Sequence, residues 1–166
     1  FDASYTAAIT SKLRAERVAC KIMPGNTPAE RLINQESLGV ILAGGQSGQV
    51  PEDLDGQLLR AGMPVLALGD CASVITSLLG GQYGEAIDIM GADTLTFLPS
   101  RITQGLEHSE RLFGVVRPLL ASADLEPLAT LGKFPLGLMH KQLEIYMLGC
   151  QLEPNDPDMM SLLLQF

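Results

Sequence analysis

The sequence predicts an α/β fold in which a mostly parallel β-sheet is covered by helices on both faces. In the first half of the 166-residue chain, helical patterns alternate with short apolar runs. Two of these runs, residues 38–43 and 65–68, are continuously apolar, as expected of strands that are buried on both faces. The second run leads directly into a turn and a helix at Gly69 and Asp70. Many α/β enzymes present a nucleophile at such a strand-turn-helix junction.

The first elements follow from periodicity and from the signals that begin helices. Apolar residues at helical spacing predict a helix over residues 4–15, and alternation predicts a strand over residues 17–23. Thr27, Pro28 and Glu30 predict the start of a second helix, with Thr27 as its cap. Two further helices are expected in this half, over residues 52–61 and 70–79.

The second half changes character, because short extended pieces replace the alternation of helix and strand. These pieces are predicted at residues 86–89, 94–98, 112–116, 128–131 and 144–148. A closing helix is predicted over residues 156–165, capped by Asp156 or Asn155 and packed inward through Met159, Met160, Leu163 and Leu164. Since no repeat or linker interrupts the sequence, residues 1–166 are expected to form one domain.

Composition argues against several classes of partner. The chain has 11 Lys and Arg against 19 Asp and Glu, and its net charge of −8 disfavours nucleic acid and anionic membrane surfaces. No apolar run reaches the ~20 residues of a membrane span. Cys20, Cys71 and Cys150 are too far apart for a disulfide framework or a metal site. We therefore expect a cytoplasmic protein with no bound metal and no cofactor.

Three other features have a structural and a functional interpretation. His108 and His140 are expected at the surface, and with no Cys/His spacing they do not predict zinc. The loop at residues 44–48 lacks the lysine of a P-loop; a tight turn is favoured over an anion site near the helix that begins at Asp70. The acidic tract at residues 153–158 could bind a cation, although ending a strand and capping the last helix is favoured.

Six local strings, in the same order, resemble the glutaminase domain of class I glutamine amidotransferases of the GMP synthetase type. The resemblance covers nearly the whole chain and implies a flavodoxin-like, three-layer sandwich. It also implies that the family's first strand precedes Phe1. The strings are FDASYT at residues 1–6, GVILAGG at 39–45, PVL at 64–66 running without a gap to LLGG at 78–81, YGEA at 83–86, ASAD at 121–124, and residues 145–154.

The same resemblance places three unsuitable residues at the positions of the family's catalytic triad. The family's chemistry requires a cysteine on the elbow, a histidine that activates it and a glutamate that orients the histidine. Here the ungapped match puts Gly69 at the cysteine position, Glu153 at the histidine position and Asn155 at the glutamate position. The resemblance therefore predicts the fold together with loss of the activity, that is, a pseudoenzyme.

Substrate recognition is predicted to be altered in the same way. A pocket-forming glutamine of the family corresponds to Ser73, and its substrate-holding Ser-His-Gly segment corresponds to residues 115–117, Val-Val-Arg. Gly44 and Gly45 remain from the loop that supplies an oxyanion amide. With Asp70 and Ser73 they form the predicted vestigial pocket.

Cys71 is the one residue that could replace the missing nucleophile. It lies two residues after the elbow, and the helix rotates it by about 200° from the elbow position, at ~100° per residue. A small buried thiol is the favoured interpretation.

Three hypotheses of function follow. The first is an inactive amidotransferase-like domain that acts as a scaffold or regulatory module for a synthetase-like, purine-linked partner or for a second copy of itself. The second is an active hydrolase with a relocated site around Asp70, Cys71, Ser73 and Glu153. The third is a small-ligand module that uses the vacated glutamine pocket.

Overall fold

The computed structural model describes residues 2–35, 37–44, 54–150 and 152–166. Within them, the α-helices are α1 (Ala3–Ala15), α2 (Ala29–Ile33), α3 (Asp70–Leu78) and α4 (Pro157–Gln165), and short 3-10 helices span Gly56–Arg60 and Arg101–Thr103. The strands are β1 (Val40–Ala43), β2 (Val65–Leu68), β3 (Gln82–Tyr83), β4 (Ile87–Phe97), β5 (His108–Val116), β6 (Leu119–Leu120), β7 (Leu125–Leu131), β8 (Phe134–His140) and β9 (Ile145–Leu148).

Seven strands form one mixed sheet in the order β1-β2-β9-β8-β7-β4-β5, and β3 pairs with β6 in a separate ribbon. Strands β1, β2 and β9 are parallel, whereas each of the other neighbouring pairs is antiparallel. The antiparallel part comes from hairpins such as β7–β8, whose two-residue turn has Gly132 at φ 54°. The predicted α/β class is confirmed, but the sheet is mixed rather than mostly parallel, because only the β1–β2 and β2–β9 pairs run parallel.

The sheet separates two hydrophobic cores, which gives the three layers. Alternate residues of β2 face opposite cores: Leu66 and Leu68 pack with α1 and α4, whereas Val65 and Ala67 pack with α2, α3 and the 3-10 helix Gly56–Arg60. All four β2 side chains are buried because β2 has a strand on each side and helices on both faces.

Residues 17–23 do not form the predicted strand. Helix α1 ends in a tight turn, in which Arg17 has φ 64° and the amide of Val18 donates to the carbonyl of Leu13. The segment that follows has no ladder partner among the described residues, because a cleft separates it from β1, the strand at this edge of the sheet. Alternation in sequence cannot make a strand without a neighbour.

The predicted cap of the second helix is also wrong. The Thr27 hydroxyl donates to the Pro24 carbonyl, 2.6 Å away, and Pro28 occupies the cap position without a side-chain hydrogen bond. The helix-start amide of Ala29 donates instead to the Asp55 carboxylate at 2.9 Å, which also accepts from Gln57. These two amides lower the pKa of Asp55.

The other differences concern the ends and faces of elements. Only a 3-10 turn at Gly56–Arg60 corresponds to the helix predicted over residues 52–61, part of which lies outside the described residues. The pieces predicted at residues 86–89 and 94–98 are one strand, β4. Strand β8 was not predicted because Pro135 and Gly137 lower its strand propensity. In α4, Leu162 is buried where Leu164 was expected, and Leu164 is half-exposed.

Candidate functional site

The elbow after β2 is formed by Gly69 in a conformation that disfavours other residues. Gly69 has φ 60° and ψ −133°, and α3 begins at the next residue. The Gly69 amide donates to the Leu148 carbonyl at the end of β9, and its own carbonyl accepts from Ala72 in the first turn of α3. The backbone therefore makes a sharp strand-to-helix turn of the kind that presents a nucleophile in α/β enzymes, with no side chain at its apex.

The loop after β1 approaches this elbow through Gly44. The Gly44 amide donates to the Leu68 carbonyl at 3.0 Å. A Cβ atom on Gly44 would lie 2.7 Å from the Cys71 amide nitrogen and 2.9 Å from the Cys71 Sγ and the Leu68 oxygen, closer than real Cβ contacts. Glycine is thus required at this position by backbone-to-backbone packing. Gly45 and the rest of the predicted loop at residues 46–48 lie outside the described residues.

Cys71 lies beneath the elbow rather than on it. Its side chain is 0% exposed and belongs to the core that packs against α3. Burial, with a smaller effect of the neighbouring Asp70 carboxylate, raises the pKa of the Cys71 thiol to about 12. Asp70 and Ser73, in the first turn of α3, are partly exposed. The structure therefore brings Gly44, Gly69, Asp70 and Cys71 together at the carboxyl ends of β1 and β2.

The segment after β9 carries the other two positions implied by the resemblance. Glu153 and Asn155 are exposed on a tight turn, which is closed by a 2.9 Å hydrogen bond from the Asp156 amide to the Glu153 carbonyl. The preceding carbonyl, that of buried Leu152, accepts a 2.9 Å hydrogen bond from the Tyr5 hydroxyl of α1. Burial raises the pKa of Tyr5, so this hydroxyl stays a donor.

Arg111 was not identified from the sequence, and it explains the acidic tract. Its guanidinium forms an ion pair with Asp156 and a second with Asp158 at 2.7 Å, and its side chain is only 12% exposed. Asp156 is the cap of α4, as predicted, and its carboxylate accepts from the Asp158 amide at 2.8 Å. The cation at this tract is therefore a side chain from β5. No local string could have revealed a pairing across 45 residues.

The remaining candidate residues lie elsewhere. His140 ends β8, and its Nδ1 accepts from the amides of Gln142 and Leu143, whereas the exposed His108 on β5 contacts Thr96. Val115, from the segment matched to the substrate-holding string, lies in β5 at the opposite sheet edge from β1. Across the described parts of the chain, no cluster of His, Cys, Asp or Glu could hold a metal ion, and no helix could span a membrane.

The chain is similar in sequence to part of known GMP synthases, although no family model matches it. It is 25% identical over 121 residues to the glutamine-hydrolyzing GMP synthase of Chlamydia muridarum, covering 70% of this chain and 23% of that protein. It is 24% identical over 169 residues to that of Dehalococcoides mccartyi, covering 93% of this chain and 30% of that protein. The chain thus spans less than a third of the length of these curated relatives.

Solved structures share the fold at lower identity. A GMP synthase component from Thermoplasma acidophilum superposes with a TM-score of 0.80 at 20% identity, covering 97% of this chain and 85% of that one. A glutamine amidotransferase from Thermotoga maritima gives a TM-score of 0.62 at 13% identity, and the match covers 85% of this chain and 67% of that one. In sequence the chain therefore resembles the glutamine amidotransferase part of GMP synthases, and in structure it has the class I glutamine amidotransferase fold.

Proposed function

We propose that this chain is an amidotransferase-like domain of the GMP synthase type that does not hydrolyse glutamine and acts as a binding or regulatory module. The observation that carries the proposal is Gly69 at the elbow, with φ 60° and ψ −133°. A residue with a Cβ in such a conformation is strained by about 1–3 kcal/mol, a cost that an active enzyme accepts in order to present its nucleophile. Glycine removes both the strain and the nucleophile.

Among the described residues, no neighbouring group supplies the missing chemistry. The Cys71 thiol is 0% exposed and its pKa is raised to about 12, so it is protonated and inaccessible at neutral pH. Glu153 and Asn155 cannot act as an imidazole base and its orienting carboxylate. The two histidines of the chain lie on β5 and at the end of β8, where they contact Thr96 and the turn amides of Gln142 and Leu143.

The test of inactivity combines ammonia release with covalent labelling. The purified chain, its Cys71→Ala variant and its Cys20→Ala variant are incubated with glutamine, and separately with a glutamine-mimicking diazoketone. We expect ammonia at the level of a protein-free blank for all three and no diazoketone adduct on Cys71. Ammonia release that disappears in Cys71→Ala but persists in Cys20→Ala would instead establish the relocated hydrolase.

A matched variant tests whether the elbow still opens onto a pocket. Gly69→Cys restores a thiol at the N-terminus of α3, where the helix dipole lowers a thiol pKa. We expect one fast-reacting thiol more than in the wild-type chain, and still no ammonia, because a base is missing. Absence of the additional reactive thiol in a folded variant would mean that the elbow is closed.

The partner that we propose is a synthetase-like domain or protein. Support comes from the relatives, whose matched part is 23% and 30% of their length, so that most of each GMP synthase lies outside the match. The test is co-elution of this chain with the unmatched part of the Dehalococcoides mccartyi enzyme, expressed separately. Failure to co-elute at tens of micromolar would exclude this partner without bearing on inactivity. A thermal-shift screen with amino acids and nucleotides tests the small-ligand alternative.

A further inference from the structure

The hairpin of β4 and β5 is covered by a hydrophobic core on one face only. Its inward residues, which include Leu95, Phe97 and Phe113, pack in the core beneath α1 and α4. The second core, which lies under α2 and α3, contains no residue of β4 or β5. The uncovered side, which we call the outer face of the hairpin, therefore lies on the side of the sheet that α2 and α3 cover elsewhere.

The outer face changes from polar to apolar along the hairpin. Its polar half consists of two cross-strand pairs, Thr94 with Glu110 and Thr96 with His108. Beyond them Ala92 lies opposite Leu112, and Met90 follows on the same face because side chains alternate along β4. Leu112 is 85% exposed and Met90 is 91% exposed. An antiparallel sheet normally presents polar residues on a solvated face, and this apolar half departs from that pattern.

Gly114, two residues after Leu112 in β5, leaves this half of the hairpin open to close approach. A Cβ atom at Gly114 would have no neighbour within 4 Å, and its φ is not in the left-handed region. The fold therefore does not require a glycine at this position. Glycine weakens the interior of a strand, and it often marks a place where a ligand or another backbone approaches closely. Gly114 thus indicates a partner that contacts β5.

Two exposed carboxylates flank the apolar half, and β4 and β5 present no Lys or Arg on the outer face. Asp88 lies at one end and Glu110 at the other. Neither takes part in an ion pair with any residue that the structure describes. Arg111 pairs with carboxylates at the start of α4 on the opposite face, and Arg117 lies beyond the end of β5. The charges of the outer face therefore favour a cationic partner.

We propose that the outer face of the hairpin binds an amphipathic helix of a partner protein, which carries an apolar stripe with a Lys or Arg near each end. A helix fits because helices cover this side of the sheet elsewhere, and because two strands present a face about 10 Å wide, the diameter of one helix. A second copy would instead bring together two acidic faces of chains that each have a net charge of −8. The inference deepens the proposed binding role and rests on it, but it does not depend on whether glutamine is hydrolysed.

The distance between the two carboxylates determines the spacing of the partner's cations. Asp88 lies opposite Val115, five residues along β5 from Glu110. This separation is about 17 Å at ~3.4 Å per residue. A helix that lies along the strands covers it in about 11 residues at ~1.5 Å per residue, and side chains about 11 positions apart share one helix face after three turns. We therefore expect the two cations about 11 residues apart.

The experiment measures the binding of three labelled helical peptides of about 18 residues to the full chain by fluorescence anisotropy. The first peptide has a leucine stripe and two lysines about 11 positions apart. The second has glutamates in place of both lysines, and the third has its lysines about four positions apart. Two double variants alter the outer face: Met90→Ser with Leu112→Ser, and Asp88→Lys with Glu110→Lys. Two controls alter exposed residues outside the hairpin: Leu38→Ser, and Glu16→Lys with Asp124→Lys, which changes the net charge equally.

We expect the wild-type chain to bind the first peptide about tenfold more tightly than the glutamate peptide and about threefold more tightly than the closely spaced one. The Met90→Ser, Leu112→Ser variant should lose at least tenfold in affinity, because two apolar contacts are removed. The Asp88→Lys, Glu110→Lys variant should prefer the glutamate peptide, while both controls behave like the wild-type chain. Absence of binding by the wild-type chain, or equal losses in the hairpin variants and the controls, would overturn the proposal.

Two further arms separate this inference from other occupants and from the proposed function. The chain is analysed by sedimentation at increasing concentration, and a dimer that the Met90→Ser, Leu112→Ser variant abolishes would assign the face to a second copy and overturn the proposal. The second arm is the co-elution with the synthetase part described above. Co-elution without peptide binding would leave the proposed function standing and overturn this inference. Peptide binding without co-elution would support the outer face as a docking site and exclude only that synthetase partner.

Discussion

The elbow at Gly69 and the turn at residues 153–156 follow neighbouring strands of one sheet and both contain main-chain hydrogen bonds, but only the turn is also held by ion pairs between side chains. The elbow is held by backbone hydrogen bonds and by the close approach of Gly44 to Cys71. The turn is exposed at Glu153 and Asn155, and the ion pairs of Asp156 and Asp158 with Arg111 attach its end to β5. The elbow therefore depends little on side-chain chemistry, and the turn depends strongly on it.

This difference explains how the fold and the predicted loss of activity are compatible. A nucleophile can be lost from an elbow whose shape is set by the main chain, because the hydrogen bonds of Gly69 do not involve its side chain. At the turn, the polar residues next to Glu153 and Asn155 have structural roles as a helix cap and as partners of Arg111. Substitutions in each region, and a change of pH, can test whether the two are supported in these different ways.

Gly44→Ala should have a large destabilising effect if backbone packing holds the elbow. The added methyl would lie within 2.9 Å of atoms of Cys71 and Leu68, two of which belong to the main chain and cannot rotate away. We expect a loss of about 3 kcal/mol or more in the free energy of unfolding, measured by urea denaturation. Gly114→Ala is the matched control, since nothing lies within 4 Å of its Cβ position, and it should change stability by less than about 0.5 kcal/mol. A loss of similar size in both variants would contradict the claim that the close packing of Gly44 against Cys71 and Leu68 stabilises the elbow.

Arg111→Met should destabilise the turn and α4 rather than the elbow. It leaves Asp156 and Asp158 without their cation, although the α4 N-terminus still stabilises these carboxylates. We expect a loss of about 2–3 kcal/mol in unfolding free energy, below the full cost of breaking a completely buried pair. Arg101→Met removes an ion pair with Glu144 that is about half exposed, and it should cost less than about 1 kcal/mol. An equal loss in unfolding free energy for the two variants would show that the burial of Arg111 does not strengthen its ion pairs.

The two buried thiols, Cys71 and Cys150, predict a loss of stability at alkaline pH. Burial raises the pKa of Cys71 and of Cys150 from 9.0 to about 12, so the folded chain retains protons that the unfolded chain releases above pH 9. Their contribution is therefore fully present below pH 9 and decreases as the pH rises toward 12. At pH 10 each of these two thiols should lower the free energy of unfolding by about 1.4 kcal/mol.

The Cys71→Ala variant isolates the contribution of Cys71, the thiol beneath the elbow, to this loss of stability at alkaline pH. The variant should lose about half of the decrease in stability between pH 8 and pH 10, in urea titrations at each pH. Any cavity that the substitution creates lowers stability equally at pH 8 and at pH 10, so it does not change this difference. A Cys71→Ala variant with the same alkaline slope as the wild-type chain would show that this thiol titrates normally in the fold.

The sequence was sufficient to predict features that neighbouring residues determine. It was insufficient for features that depend on contacts between residues far apart in the chain. The apolar run and Gly69 predicted β2 and the start of α3, and Asp156 with Pro157 predicted the start of α4. The prediction of a strand at residues 17–23 was wrong because a strand needs a neighbouring strand to pair with, and the alternation of apolar residues does not show whether one is present. Arg111 was missed because its partners lie 45 and 47 residues away, and the Asp55 cap on Ala29 was missed because it spans 26.

Tyr5→Phe tests a hydrogen bond that joins α1 to the segment carrying the turn. The Tyr5 side chain is buried, and its hydroxyl donates to the Leu152 carbonyl one residue before Glu153. Removing the hydroxyl leaves that carbonyl unsatisfied, so we expect a loss of about 1–1.5 kcal/mol in unfolding free energy. Tyr83→Phe, at an exposed ring on β3, should be close to neutral. Because the elbow does not use this bond, the additional thiol of Gly69→Cys should react at the same rate with or without Tyr5→Phe. A changed rate would mean that the two regions are coupled through α1, and that the elbow is less independent of side chains than its backbone hydrogen bonds indicate.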